Sequence, residues 1–168
     1  DVAIAGMFKA HPDPGAMRLV NIQVDGKQIT FVNGFAANDP DSTLRIWRQI
    51  EDLRQGTDQS IILLNSRIDR FPRTLQLVDM VTEHIQPDVL VLVGGRTAKA
   101  KRRAQHEGMA AGQVIDLGEA SPERVFQACL KQSTSRALIF GIGNMGGGGG
   151  EIVEYFKYHT TPGEEMYL

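Results

Sequence analysis

Apolar residues recur along this chain in two arrangements, and their alternation sets the first expectation of its fold. Four near-continuous runs, "IILLN" (61–65), "VLVLV" (89–93), "VIDL" (114–117) and "ALIFGI" (137–142), lack the in–out alternation of a half-exposed strand. Such runs suit strands covered on both faces of a parallel sheet. Between them, apolar side chains return at helical spacing: Leu44, Trp47, Ile50 and Leu53, then Leu75, Val78, Val81 and Ile85, then Val125, Phe126, Cys129 and Leu130. Asp41-Ser42 reads as the opening of the first helix, and Ser121-Pro122 as a cap followed by proline at the first helical position of the third. Pro87 stands just beyond the second, where it stops continuation. Residues 97–107, closed by Gly108, predict a fourth helix, and residues 151–158 a short fifth. Near the start, "RLVNIQVDGKQITFVNGF" predicts a β-hairpin about Asp25-Gly26. The alternation predicts an α/β domain: a mainly parallel sheet flanked by helices, with right-handed crossovers and an N-terminal hairpin and linker segment.

Composition narrows the function classes. A chain of 168 residues, 42% hydrophobic and 23% charged, suits one soluble globular domain. Its net charge of −2 lacks the basic footprint that nucleic acid requires. The single cysteine, Cys129, forms no internal disulfide and points to a reducing compartment. No apolar run approaches the roughly 20 residues that span a bilayer, and no signal-peptide pattern opens the chain. The chain begins "DVAIAG", without methionine, and reads as a processed chain or a fragment. Residues 1–17, with prolines and no period, read as a connection to something upstream. The polar end "HTTPGEEMYL" reads as loose, or ordered only by a partner.

In open α/β sheets, ligands gather beyond the carboxyl ends of the strands. The stretches that follow the strands here are "NGFAANDPDST", "NSRIDRFPRT", "GGRTAK" and "GIGNMGGGGGE", all rich in Asn, Asp, Arg and Gly. In the first, Asn38, Asp39 and Asp41 could hold a ribose or adenine edge while Ser42 caps; a plain turn with an N-cap explains the same residues. In the second, Arg67, Arg70 and Arg73 surround Asp69, and Arg96 follows Gly94-Gly95. Arginine forks suit carboxylates and phosphates, although an arginine–aspartate pair on a solvated loop is the plainer reading. Lys99, Lys101, Arg102 and Arg103 make either a solvated helix face or a basic track for a polyanion. The four histidines show no metal-ligand spacing, so no metal site is expected in this chain. No nucleophile elbow and no G-x-x-x-x-G-K-[ST] phosphate loop occurs, and no residue is assigned a catalytic role. "GIGNMG" matches G-x-G-x-x-G, but it follows the last apolar run and lacks the first-strand setting of a dinucleotide fingerprint. Its glycines suit close backbone approach to a ligand, ahead of a helix N-terminus that favours an anion.

Together, "NGFAANDPDSTLRIW", "NSRIDRFPR" and "GIGNMGGGGGEIVEYF", with "DPGAMRL" upstream, resemble the C-terminal domain of the ATP-ligase subunit of bacterial poly-γ-glutamate synthases, relatives of the Mur ligases. The resemblance implies a Rossmann-like fold. It implies that residues 1–27 are the end of a central ATPase domain and the linking hairpin, 28–158 the closing lid domain, and 159–168 a tail. It implies activation of a carboxylate by ATP as an acyl phosphate, then attack by the amine of glutamate to give a γ-amide. ATP and Mg2+ would be held mainly by the upstream domain. Nucleotide contacts fall to Asn33, Asn38, Asp39, Asp41 and Ser42, with Asn33 where relatives often place aspartate. Acceptor glutamate or polyglutamate contacts fall to Arg67, Arg70, Arg73, Arg96, Gly141, Gly143, Asn144, Gly146 and Glu151. The implied setting is an oligomeric complex with membrane subunits, peripheral at the cytoplasmic face of a bacterial membrane. The alternative is a non-catalytic Rossmann-like module that binds a nucleotide and regulates or scaffolds a partner. A close relative that ligates a different acceptor is the third reading.

Overall fold

A computed structural model of the chain describes residues 18–161 and 165–167; the expected upstream connection, residues 1–17, lies outside them. The strands are β1 (Arg18–Val24), β2 (Lys27–Asn33), β3 (Gln59–Ser66), β4 (Val89–Gly94), β5 (Val114–Asp116), β6 (Arg136–Gly143) and β7 (Glu165–Tyr167). The helices are α1 (Pro40–Gln55), α2 (Phe71–Met80), α3 (Thr97–His106), α4 (Pro122–Gln132) and α5 (Gly149–Tyr158). One sheet holds all seven strands in the order β5-β4-β3-β6-β2-β1-β7. The five strands from β5 to β2 are parallel; β1 pairs antiparallel with β2, and β7 antiparallel with β1. At the hairpin turn both Asp25 and Gly26 take positive φ, at 50° and 73°. That is the twist-compatible turn for which an Asp-Gly pair is suited.

Three of the four near-continuous apolar runs, those of β3, β4 and β6, are buried on both faces as predicted. The run at 114–117 instead supplies the edge strand β5, where only Val114 is buried because one side lacks a neighbouring strand. Ile62, Leu64, Leu90, Leu92, Leu138 and Phe140 pack beneath α1, α2 and α3. Their sequence neighbours Ile61, Leu63, Val91 and Ile139 pack beneath α4 and α5. Trp47 of α1 stacks on Phe140 at 5.9 Å on the first face, and Phe156 of α5 stacks on Phe31 at 4.2 Å on the second. Cys129 belongs to the second core, fully buried, and burial pushes its thiol up to about 12. It is an inert packing residue, because only the thiolate is reactive.

Three boundaries differ from the sequence reading. α1 begins at Pro40, and Asp39 caps it, rather than the helix opening at Asp41-Ser42. Proline fits the first turn, where its missing N–H is not required, so the start moves one residue back. α5 begins at Gly149, which makes the last two residues of the glycine run helical. The tail expected to be loose supplies β7, whose residues 165–167 pair with Arg18, Leu19 and Val20. An edge strand offers a row of unpaired backbone groups, and even a polar segment can satisfy them.

Candidate functional site

β3 and β6 are neighbours in the sheet, yet the helices that follow them leave to opposite faces. α2 packs through Phe71, Leu77 and Val78 on one face, and α5 through Ile152, Val153 and Phe156 on the other. A crevice therefore opens at the carboxyl ends of β3 and β6, the point in an open α/β sheet where the winding reverses and ligands bind.

Two buried asparagines close the floor of this crevice. The Asn65 Nδ2 donates to the Asn144 carbonyl at 2.7 Å and to the Gly146 carbonyl at 3.1 Å. In return, the backbone N–H and the Nδ2 of Asn144 donate to the Asn65 carbonyl at 3.2 and 3.3 Å. Asn65 is fully buried and Asn144 nearly so. In a low-dielectric setting such bonds are strong and directional, and losing one leaves a costly unpaired group. Approach this close is sterically possible only where side chains are missing. At Gly143, with φ +101°, a Cβ would collide with the Asn65 carbonyl oxygen, and at Gly149 it would collide with that of Asn144.

Above the floor lies a cleft of about 520 Å³, lined by Arg67, Asp69, Gly94, Glu119, Gly147 and Ile152 among others. Arg67 lies along the glycine loop: a Cβ added at Gly146 would sit 3.0 Å from its Nη1, and one at Gly147 would sit 3.0 Å from its Cγ. Its Nε and Nη2 donate to the two Asp69 oxygens at 3.1 and 2.8 Å, which leaves Nη1 facing the loop. Gly148, at φ +99°, leads into α5, and no side chain caps that helix. The first-turn N–H groups of a helix have no partner within it and favour a negative group, although here the Gly150 N–H already donates to the Met145 carbonyl at 2.8 Å. The cleft thus gathers one guanidinium, one helix N-terminus and two carboxylates, those of Asp69 and Glu119.

The remaining expected residues separate into distinct places. Arg73 leaves the acceptor group: its Nη1 donates to the Asn38 Oδ1 at 2.8 Å, beside the start of α1. There the Asp39 Oδ1 accepts from the Ser42 N–H at 2.9 Å. That bond, the Ser42 hydroxyl and the Arg73 charge hold the Asp39 carboxyl below the usual carboxylate range. The Asn33 Oδ1 accepts from the Phe35 N–H at 3.2 Å, and Asp41 is exposed in the first turn of α1. Arg96, in the left-handed region at φ 58°, places its guanidinium over the Phe71 ring at 5.5 Å; Arg70 is exposed next to that ring in the chain. Gly141 is buried within β6, where a Cβ would strike the Phe35 ring. Glu151 faces a shallow hollow on the outer side of α5, with Pro122 and Tyr155, rather than the cleft.

Asn65, which ties the two strand ends together, was missed by the sequence reading. Its signal was present in "IILLNS": a polar amide ending an otherwise apolar run, where a buried side chain needs hydrogen-bond partners; here Nδ2 finds two carbonyls while the buried Oδ1 has none. Among the described residues no group of three or more His, Cys, Asp or Glu side chains could hold a metal ion.

The glycine geometry gives a matched test. Gly143 and Gly148 share a positive φ, but a Cβ at Gly148 would meet nothing within 4 Å. Gly148→Ala should cost about 1–2 kcal/mol, for the backbone alone. Gly143→Ala should cost at least about 2 kcal/mol more, because it also overpacks the strand ends. Urea melts of the two variants read the difference, and equal losses would contradict the floor described above. A second test concerns Asp39. A lowered folded-state pKa means stability that is present above the unfolded value and lost as pH falls through the folded one. Asp39→Ala should lower the melting temperature by about 2–4 °C at pH 7. The gap should close as pH drops below about 4, followed by circular dichroism.

A family model described as the C-terminal domain of poly-gamma-glutamate synthase CapB matches residues 19–159. PGA synthase CapB of Bacillus subtilis is 35% identical over 154 residues, and capsule biosynthesis protein CapB of Bacillus anthracis 32% over the same length. These alignments take in 92% of this chain but only 39% and 33% of the two relatives. Among solved structures, MurF of Acinetobacter baumannii superposes with a TM-score of 0.51 at 14% identity, over 80% of this chain and 30% of that one. A UDP-N-acetylmuramoyl-L-alanyl-D-glutamate–2,6-diaminopimelate ligase gives 0.50 at 12% identity, over 80% and 27%. At these identities the structural likeness is one of fold: the Rossmann-like α/β architecture of a Mur ligase C-terminal domain. With the match running from β1 to the end of α5, this chain belongs to the family of poly-gamma-glutamate synthase CapB C-terminal domains.

Proposed function

We propose that this domain seats the acceptor amino acid of an ATP-dependent amide ligase that extends a glutamate polymer through γ-amide bonds. The observation that carries the reading is the cleft beyond the ends of β3 and β4, where Arg67, paired with Asp69 through Nε and Nη2, keeps Nη1 toward the start of α5, with the Glu119 carboxylate in the same lining. A zwitterionic amino acid needs both signs within a few ångströms. Arg67 Nη1 and the α5 N-terminus suit its carboxylates, and Asp69 and Glu119 suit its ammonium.

In this reaction a carboxylate first takes the γ-phosphoryl group of ATP, releasing ADP. The acceptor amine then attacks the acyl phosphate carbonyl, loses a proton and expels phosphate. The described residues offer no metal-ion cluster, and the chain has no phosphate loop of its own. In this reading magnesium and phosphoryl transfer belong to a part of the ligase beyond the matched segment. This domain contributes position: it orients the amine, and by closing over the acyl phosphate it excludes water. The edge formed by Asn38, Asp39 and Arg73 is the candidate for touching the nucleotide across that closure. Among the described residues no helix is long and apolar enough to cross a membrane. Attachment to the inner membrane face through other subunits is part of the same proposal.

The test is steady-state kinetics of the full-length ligase, with release of ADP and phosphate on adding glutamate as the readout. Arg67→Gln should raise the KM for glutamate about tenfold or more and leave that for ATP unchanged, as expected for one lost charge-assisted bond. Asn38→Ala should shift the KM for ATP instead. Nucleotide binding without glutamate-dependent release, or an unchanged glutamate KM in Arg67→Gln, would overturn the proposal.

A further inference from the structure

The cleft accounts for Arg67 but not for the concentration of positive charge beside it. Residues 96–107 carry five cationic side chains, Arg96, Lys99, Lys101, Arg102 and Arg103, against a single carboxylate, Glu107, in a chain whose net charge is −2. Arg103 is neutralised locally by Asp79 at 2.6 Å and by Glu107 at 3.3 Å. The other ion pairs among the described residues take Arg67, Arg136, Lys157, His84 and His106. Arg96, Lys99, Lys101 and Arg102 have no acidic partner among the described residues.

Their placement is ordered. α3 buries Thr97, Ala100 and Ala104 against the sheet, which turns Lys99 and Arg102 outward on the opposite face. Positions three apart lie on one side of a helix, with a rise of about 4.5 Å between them. Lys99 and Arg102 therefore form a ridge along the outer face of α3, with Lys101 half-buried at its flank and Arg96, the residue before the helix, at its N-terminal end. The ridge starts at the cleft, since Gly94 and Gly95 line it and Arg96 is the next residue. Arg96 keeps a left-handed backbone, a conformation that disfavours a side chain, and rests its guanidinium on Phe71 at 5.5 Å. Arg70, exposed and adjacent to Phe71 in the chain, adds a further cation at the same end.

We propose that the outer ridge of α3 is a track for a linear polycarboxylate that leads to or from the cleft. The proposal rests on the reading of the cleft as the acceptor site and identifies where the polymer beyond its terminal unit lies. Extended γ-linked polyglutamate bears one α-carboxylate per five-atom backbone repeat, a longer step than the rise between the ridge cations, and the flexible lysine and arginine stems absorb the mismatch. An exposed track of this kind holds the polymer loosely and lets it slide, because each exposed pair contributes little and salt screens it. An anionic membrane surface is the competing partner class. The ridge favours the polymer because it is one helix face continuous with the cleft, rather than a broad basic plane.

The test is fluorescence anisotropy of a labelled oligoglutamate with this chain, at low and physiological salt and without ATP. The variant Lys99→Gln/Lys101→Gln/Arg102→Gln removes three charges outside the cleft; Arg45→Gln/Arg48→Gln/Arg124→Gln removes three exposed charges elsewhere. The ridge variant should bind about tenfold more weakly, the control within about twofold, and the affinity of the unaltered chain should fall steeply with salt. Melting curves confirm that both variants fold. Equal losses in the two variants, no loss in the ridge variant, or binding to phosphatidylserine vesicles but not to oligoglutamate would overturn the proposal. The full-length ridge variant should retain its KM for free glutamate. Loss of polymer binding by the ridge variant is thus independent of the Arg67→Gln result, and either reading can fail alone.

Discussion

The fold converges on one buried exchange of hydrogen bonds, between Asn65 at the end of β3 and Asn144 just past β6. Parallel strands whose helices depart to opposite faces tend to splay at their carboxyl ends, and here a side-chain amide bridges the gap. The Asn65 Nδ2 holds two carbonyls of the following loop, and the Asn65 carbonyl receives both donors of Asn144. Glycine at 143 and 149 follows from that contact, because neither place has room for a Cβ. The start of α5, set directly upon the strand ends, follows in turn.

This constraint explains why the polar residues at the carboxyl edge form two neighbourhoods. Against α5, the fixed loop presents Gly146 and Gly147 to Arg67 and leaves a cleft containing both signs of charge. On the side of α1 and α2, Arg73 binds Asn38 and adds its charge to the field that stabilises the Asp39 carboxylate. In the function proposed above, the first neighbourhood would seat the acceptor and the second would touch the nucleotide. The rigid sheet between them sets their separation. The α3 ridge adds a third feature on the same edge, of a single sign and open to solvent.

Much of this was legible in the sequence. Three of the four near-continuous apolar runs became strands buried on both faces and the fourth the half-buried edge strand β5, the spaced stripes became helices, and Asp25-Gly26 became a hairpin turn. Ser121 caps α4 through the Arg124 N–H as its position before Pro122 implied. What was not legible depends on contacts distant in the chain. Grouping Arg73 with Arg67 was reasonable from their spacing, but a short 3-10 turn at Ile68–Arg70 and the start of α2 point them to different neighbours. Asn144 looked like a ligand residue, yet its amide faces the backbone of Asn65, 79 residues away. Glu151 is expected among the acceptor contacts, but it lies in the first turn of α5 and faces the outer hollow with Pro122 and Tyr155. The β7 strand could not be read from three residues in an otherwise polar tail, since pairing with an exposed edge requires only backbone groups.

The central claim is that the Asn65 amide holds the loop on which the cleft depends. Amide hydrogen exchange tests it directly, comparing the unaltered chain with Asn65→Ser, whose shorter side chain loses the Nδ2 donor. The account predicts exchange faster by about tenfold or more at residues 144–152, the equivalent of one buried bond, with β3 and β4 amides still protected. Unchanged protection across 144–152, or an even loss throughout the sheet, would contradict it.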